Sequence, residues 1–198
     1  MKGHGALAVF VDRDGVINVN RADHVRTWSD LEFLPGALDG LALLTRSGCQ
    51  VVVVTNQAIV NRGVVARDVV DRIHERMVAE IERQGGAIRA VLLCPHRPDE
   101  GCDCRKPAPG LLTDAAALLG IDASDALMIG DHPDDLEAAR RAGCSSILLL
   151  SGRTRERPPE DELPTGCLAV LPGLLQAARF VTGSVSEGEP QRILVGAR

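Results

Sequence analysis

The chain has 198 residues, 45% of them hydrophobic and 25% charged, enough to bury the core of one domain without disulfides and too apolar for a disordered chain. Lys and Arg number 22 against 27 Asp and Glu, a net charge of −5, and the aromatics are confined to Phe10, Trp28, Phe33 and Phe180. With neither a basic surface for a phosphate backbone nor a platform for stacking bases, a nucleic-acid binder is excluded as the first reading.

Short apolar, β-branched runs alternate with helical patterns along the chain. Strands are predicted over residues 7–11, 50–55, 87–93, 126–129 and 146–150, with a further short one over 167–170. Helices are predicted between them, over 37–46, 66–84, 110–119 and 134–142. In the second of these, Val69, Val70, Ile73, Met77 and Ile81 share one face. Strands this apolar on both faces, each followed by a helix, imply an α/β fold with a mainly parallel sheet covered on both sides. One domain is expected over 1–182, with an exposed loop over 154–164. A mobile tail is expected over 183–198, in which 192–195 offers an edge strand. Apolar runs stay far short of the ~20 residues of a membrane span. No cleavable leader precedes the first strand, so a cytoplasmic protein that engages no membrane is expected.

In parallel sheets ligands collect outside the carboxyl ends of the strands, so the polar residues that end each strand should converge. Asp12-Arg13-Asp14-Gly15 follows the first strand, Thr55-Asn56-Gln57 the second and Gly130-Asp131 a later one. Two carboxylates this close repel and need a cation or a shared proton. With Mg²⁺, one is suited to be ligand and nucleophile and the other to carry protons; solvated acids at a strand end are the plainer alternative. Asp131 is the expected further Mg²⁺ ligand, Asp134 can cap the helix that follows, and His132 reads as a solvated side chain, with a proton carrier as the alternative. Lys106 supplies a point cation and Arg105 a bidentate grip on phosphate.

Of six cysteines, Cys94, Cys102 and Cys104 crowd around His96, matching a closed four-ligand zinc site of structural type in the loop 94–107. Cys49, Cys144 and Cys167, isolated among apolar or small residues, read as buried structural thiols.

Taken together and in order, residues 11–18, 53–57, Cys94-Pro95-His96 with 101–107, and Ile129-Gly130-Asp131 with Asp135 resemble the haloacid dehalogenase superfamily. The nearest resemblance is to its capless, zinc-loop branch of sugar-bisphosphate and histidinol-phosphate phosphatases. The resemblance spans about residues 7–150. It implies a Rossmann-like three-layer sandwich without a large cap, in which a zinc-pinned loop faces an open site. It also implies Asp12 as the nucleophile that becomes an aspartyl-phosphate, and Asp14 as general acid/base with its backbone carbonyl on Mg²⁺. Thr55 and Lys106 would hold the phosphoryl oxygens, Asp131 would complete the Mg²⁺ site and Asp135 would support it, with Cys94, His96, Cys102 and Cys104 on Zn²⁺. Residues 56–63 match the loop of the heptose-bisphosphate members and keep Arg62-Gly63, so Asn56, Gln57, Arg62 and Arg105 are the expected substrate contacts. The implied substrate is a small sugar bisphosphate, a heptose 1,7-bisphosphate cleaved at the 7-phosphate, acted on by a monomer that binds no nucleic acid. Histidinol phosphate or another small phosphomonoester is the enzymatic alternative, and a zinc-stabilised binding module without catalysis the non-enzymatic one.

Overall fold

The computed structural model of the protein describes residues 7–183; residues 184–198 of the expected tail, and with them the edge strand at 192–195, lie outside the described residues. Six strands form one parallel sheet: β1 (Ala8–Val11), β2 (Gln50–Asn56), β3 (Ala90–Cys94), β4 (Ala126–Gly130), β5 (Ser145–Leu149) and β6 (Cys167–Leu171). Their order across the sheet is β3-β2-β1-β4-β5-β6. The chain thus winds outward from β1 in one direction, then returns to β1's other side with β4. That reversal leaves a crevice between the carboxyl ends of β1 and β4, the place where such sheets bind ligands.

Helices α1 (Ala37–Arg46), α2 (Arg67–Arg83), α3 (Gly110–Leu119), α4 (Pro133–Ala142) and α5 (Leu174–Thr182) cover both faces. Because strand side chains alternate, each strand feeds two cores. Val9, Val11, Val51, Val53 and Ile129 pack with Leu41 and Leu44 of α1, Ile73 and Met77 of α2, and Leu174 and Ala178 of α5. On the other face Phe10, Val52, Val54 and Met128 pack with Leu112 and Ala115 of α3 and Ala138 and Ala139 of α4. Burial of each large aliphatic chain contributes ~1.5–3 kcal/mol, so these two layers hold the strand ends in fixed register. Among the described residues no helix is long and apolar enough to cross a membrane.

The structure departs from the sequence-based expectations in several places. The third strand begins at Ala90 rather than 87, because the Ala87 N–H is donated to Thr45 Oγ1 of α1 (2.9 Å) and residues 87–89 serve as a connection. Helix α5 was not expected; Leu174, Ala177 and Ala178 are its buried face, and backbone atoms of its Leu174 lie where a Cβ on Gly40 of α1 would stand. Helix α4 is capped by His132, not Asp134: His132 Nδ1 accepts the Asp134 N–H (3.2 Å), while Asp135 Oδ2 accepts the His132 N–H (3.1 Å). Cys49 is half-buried against the first core, whereas Cys144 and Cys167 are buried as expected.

Candidate active site

Asp12 is the first residue past β1, fixed by its N–H to Ile129 O on β4 (3.0 Å). Gly15, at φ +88°, then turns the chain sharply; a Cβ there or on Gly152 would collide with the Asp131 carboxylate. The two glycines thus let the loops after β1 and β5 close over Asp131, the first residue past β4. Asp131 Oδ2 accepts the Arg153 N–H at 2.6 Å, and Ser151 Oγ donates to Gly15 O at 2.8 Å. Asp135, on the first turn of α4, is buried beside them.

Lys106 arrives on the loop between β3 and α3. Its ammonium, 2% exposed, lies 2.8 Å from Asp12 Oδ1 and 2.6 Å from Asp135 Oδ1, and donates to Val54 O at 2.9 Å. Burial opposes its charge, but the two carboxylates outweigh that and hold the ammonium firmly protonated. Its backbone is fastened to β2: Asn56 Nδ2 donates to Lys106 O (3.0 Å), and Lys106 N donates back to Asn56 Oδ1 (3.1 Å).

Oxygens of Asp12, Asp131 and Asp135 lie within 4.8 Å of one another. Burial, then the charge of Asp135 and Asp14, pushes Asp12 up to about 6 against the pull of Lys106. Burial, then Asp12 and Asp135, pushes Asp131 up to about 7. Three acids against one ammonium leave an excess of negative charge converging on one point. A compact hard cation that prefers oxygen ligands, such as Mg²⁺, fits that donor set.

Asp14 stands apart from this trio. Arg13 Nη2 donates to both its oxygens (2.8 and 2.7 Å), Asn18 Nδ2 to Oδ1 (2.9 Å) and Gln57 Nε2 to Oδ2 (2.8 Å). Burial works against the charge, but the Arg13 guanidinium and these donors hold the carboxyl below the usual range. Gln57 Nε2 also donates to Thr55 Oγ1 at 2.9 Å.

A second cluster lies in the loop after β3. Cys94 Sγ is 3.6 Å from Cys102 Sγ and 3.4 Å from His96 Nδ1, and Cys104 Sγ is 3.5 Å from Cys102 Sγ and 3.2 Å from His96 Nδ1. A tetrahedron with Zn–S of ~2.3 Å and Zn–N of ~2.0 Å has edges of about 3.8 and about 3.5 Å, so these four atoms need move only a few tenths of an ångström to enclose Zn²⁺. All four ligand positions are protein atoms, the pattern of a structural rather than catalytic site.

Asp12, Asp14, Thr55, Asn56, Gln57, Lys106, Asp131 and Asp135 line one cavity, together with Arg62 and Arg105. Arg105 is steadied by Nη1 donating to His96 O (3.1 Å). Asn56 and Gln57 differ from expectation in what they hold: their side chains are committed to Lys106, Asp14 and Thr55, so their contribution is to place those groups. The same cavity is lined by Asn20, Arg21, His24, His132, Asp134 and Arg153, which sequence reasoning did not assign. Arg153 was findable, since Ser151-Gly152-Arg153 follows an apolar strand as the other site segments do.

The HAD-hydrolase-like family model matches residues 103–175. The D-glycero-beta-D-manno-heptose-1,7-bisphosphate 7-phosphatase of Pseudomonas aeruginosa is 38% identical over 177 residues, covering 85% of this chain and 97% of that protein. Its namesake in Bordetella bronchiseptica is 36% identical over 176 residues, 86% of this chain and 98% of the relative. A crystal structure of the D,D-heptose 1,7-bisphosphate phosphatase from B. bronchiseptica, complexed with magnesium and phosphate, superposes with a TM-score of 0.84 at 34% identity, covering 90% of this chain and 99% of that one. Sheet order, carboxylate cluster and these likenesses agree: the chain belongs to the haloacid dehalogenase-like hydrolases, in the family of the heptose-bisphosphate phosphatases.

Proposed function

We propose that the protein is a Mg²⁺-dependent phosphomonoesterase that removes the 7-phosphate of D-glycero-D-manno-heptose 1,7-bisphosphate through an aspartyl-phosphate on Asp12. The observation that carries this reading is Lys106, a buried ammonium 2.8 Å from Asp12 in a crevice where three carboxylates converge. Phosphoryl transfer asks of a protein mainly alignment and neutralisation of charge. An Asp12 oxygen attacks phosphorus, and the bond from phosphorus to the sugar oxygen breaks. The departing alkoxide takes a proton from Asp14 in its acid form. Water then attacks the phosphorus of the aspartyl-phosphate, Asp14 removes its proton, and the bond to Asp12 breaks to release inorganic phosphate. The Arg13 guanidinium and the amide donors around Asp14 favour its ionised form, which is the form suited to this second half. Thr55 and Lys106 hold the phosphoryl oxygens.

Mg²⁺, held by Asp12, Asp131 and the Asp14 carbonyl with Asp135 in support, would neutralise phosphoryl charge and allow three acids to stay ionised together. Zn²⁺ on Cys94, His96, Cys102 and Cys104 would pin the loop that presents Arg105 and Lys106. A bisphosphate brings a second phosphate that is not transferred, and the guanidiniums of Arg62 and Arg105 on the same cavity are suited to it. The test is phosphate release from heptose 1,7-bisphosphate, histidinol phosphate and hexose monophosphates, with and without Mg²⁺. A preference of about a hundredfold or more in kcat/KM for the heptose bisphosphate supports the assignment. Equal rates on all substrates overturn the substrate, and no Mg²⁺-dependent release from any of them overturns the chemistry.

A further inference from the structure

Arg13 lies between two site acids in sequence and has no part in the steps above, yet it is 1% exposed. One end of its guanidinium, Nη2, grips both oxygens of Asp14. The other end, Nη1, is 2.9 Å from Nε2 of His74, which is itself buried, at 5% exposure, on α2. We propose that His74 is a positioning residue for the acid/base Asp14, acting through Arg13, which it holds from behind. The inference rests on the phosphatase reading and names what keeps that site's proton carrier in place.

The polarity of the contact follows from the donor inventory. Arginine has only N–H donors, so His74 Nε2 must be the acceptor and the ring is neutral, with its proton on Nδ1. The charged groups around the imidazole are Arg13 and Asp14 from the β1 loop and Arg67 and Asp71 from its own helix. Burial, followed by the Arg13 charge, holds His74 down at about 4, with Asp14 and Asp71 pulling the other way. The acceptor therefore persists at neutral pH.

The support behind His74 is rigid. Its neighbours Val70, Ile73 and Met77 are buried, Ile73 and Met77 in the core beneath the sheet. Arg13 depends on that support, because its Nε has no hydrogen-bond partner. Without His74, Nη1 also loses its acceptor, and only the Asp14 end of the guanidinium remains fixed. The pivoting guanidinium would then carry the Asp14 carboxylate with it. Proton transfer to a leaving oxygen is steeply sensitive to such placement, where ~1 Å costs about a hundredfold.

The experiment compares His74→Leu and His74→Met, which remove the acceptor, with His74→Gln, whose Oε1 reaches the Nε2 position. Each is assayed with heptose 1,7-bisphosphate and with p-nitrophenyl phosphate, whose leaving group departs without needing a proton. Melting temperature and zinc content are followed in parallel. The expected result for the apolar variants is a kcat/KM loss of about tenfold or more on the sugar substrate with KM within about twofold, a clearly smaller kcat/KM loss on the aryl phosphate, and recovery of most of the rate in His74→Gln. Unchanged kcat/KM for the sugar substrate in the folded apolar variants overturns the proposal, and so does an equal kcat/KM loss on both substrates. A wild-type enzyme inert on both substrates refutes instead the functional reading on which it rests.

Discussion

Asn56 and Lys106, 50 residues apart, exchange two backbone-to-amide hydrogen bonds, of 3.0 and 3.1 Å, that stitch the loop before α3 onto the end of β2. The amide of one strand-end residue thereby sets where the buried ammonium sits relative to Asp12. Asn56→Ala strips both bonds and leaves the Lys106 N–H and C=O to find other partners, a cost of ~1–3 kcal/mol in stability. The expected outcome is a lowered melting temperature together with a fall in kcat of about tenfold or more, as the ammonium loses its fixed position. Thermal melts and steady-state kinetics on the same preparation check both.

Lys106 is the only ammonium or guanidinium recorded within 4 Å of Asp12 and Asp135 among the described residues. Lys106→Met removes the cation and leaves two buried carboxylates facing each other. Breaking a buried pair on one side typically costs ~3–5 kcal/mol. Activity is expected to vanish, and the variant should regain part of its lost stability at low pH, where Asp12, already pushed up by burial, can take up a proton. Denaturant titrations at pH 5 and pH 8 test this; a variant as stable as wild type at pH 8 contradicts it.

The raised proton affinity of Asp12 and Asp131 makes stability without metal fall with rising pH. Burial first, then neighbouring carboxylates, pushes Asp12 up to about 6 and Asp131 to about 7, against 3.8 for an ordinary aspartate. Between about pH 4 and 7 the folded state therefore keeps protons that the unfolded state has released, and each step upward through that window favours unfolding. Mg²⁺ binds the deprotonated form, so its stabilising effect should grow over the same window. Melting temperatures with and without MgCl₂ should diverge from pH 5 to pH 8. A gap that stays constant or narrows contradicts the placement of the ion on these acids.

The loop that carries Cys94, His96, Cys102 and Cys104 also reaches the Arg62 loop. Gln57 N donates to Cys94 O (2.7 Å), and Asn61 Nδ2, beside Arg62, donates to Glu100 Oε2 (2.8 Å). Stripping zinc with a chelator under reducing conditions should therefore loosen both Arg105 and Arg62. The expected signature is a rise in KM for the bisphosphate larger than for p-nitrophenyl phosphate, which offers no second phosphate. A melting temperature lower by about 8–16 °C should accompany it, if the lost metal removes ~4 kcal/mol from a domain of this size. Metal analysis and kinetics before and after zinc is restored check the effect.

Much of this site was legible in the chain because its acids and Thr55 end or follow apolar strands. Asp12, Thr55 and Asp131 stand directly at or beyond strand ends, and the reversal in sheet order explains why residues so far apart in sequence meet. The cysteine cluster was legible because few other arrangements need three thiols and an imidazole so close together. What stayed hidden was direction. Arg13 reads as an ordinary strand-end arginine and turns inward only because Asp14 and His74 receive it. His74 sits on a helix whose periodicity marks its apolar neighbours, and no local pattern says that a polar residue there has a partner 61 positions away. His132 was hidden as a cap for a similar reason: its imidazole takes a place more often filled by a short oxygen side chain.

The most direct measurement is to mix enzyme, Mg²⁺ and heptose 1,7-bisphosphate for milliseconds, quench in acid and locate the phosphoryl group by peptide mass spectrometry, in wild type and in Asp12→Asn. The expected result is phosphate on Asp12 in wild type, none in the variant, and turnover lowered at least about a thousandfold with fold and zinc content unchanged. Phosphate on another residue, or an Asp12→Asn enzyme that keeps substantial turnover, would contradict it.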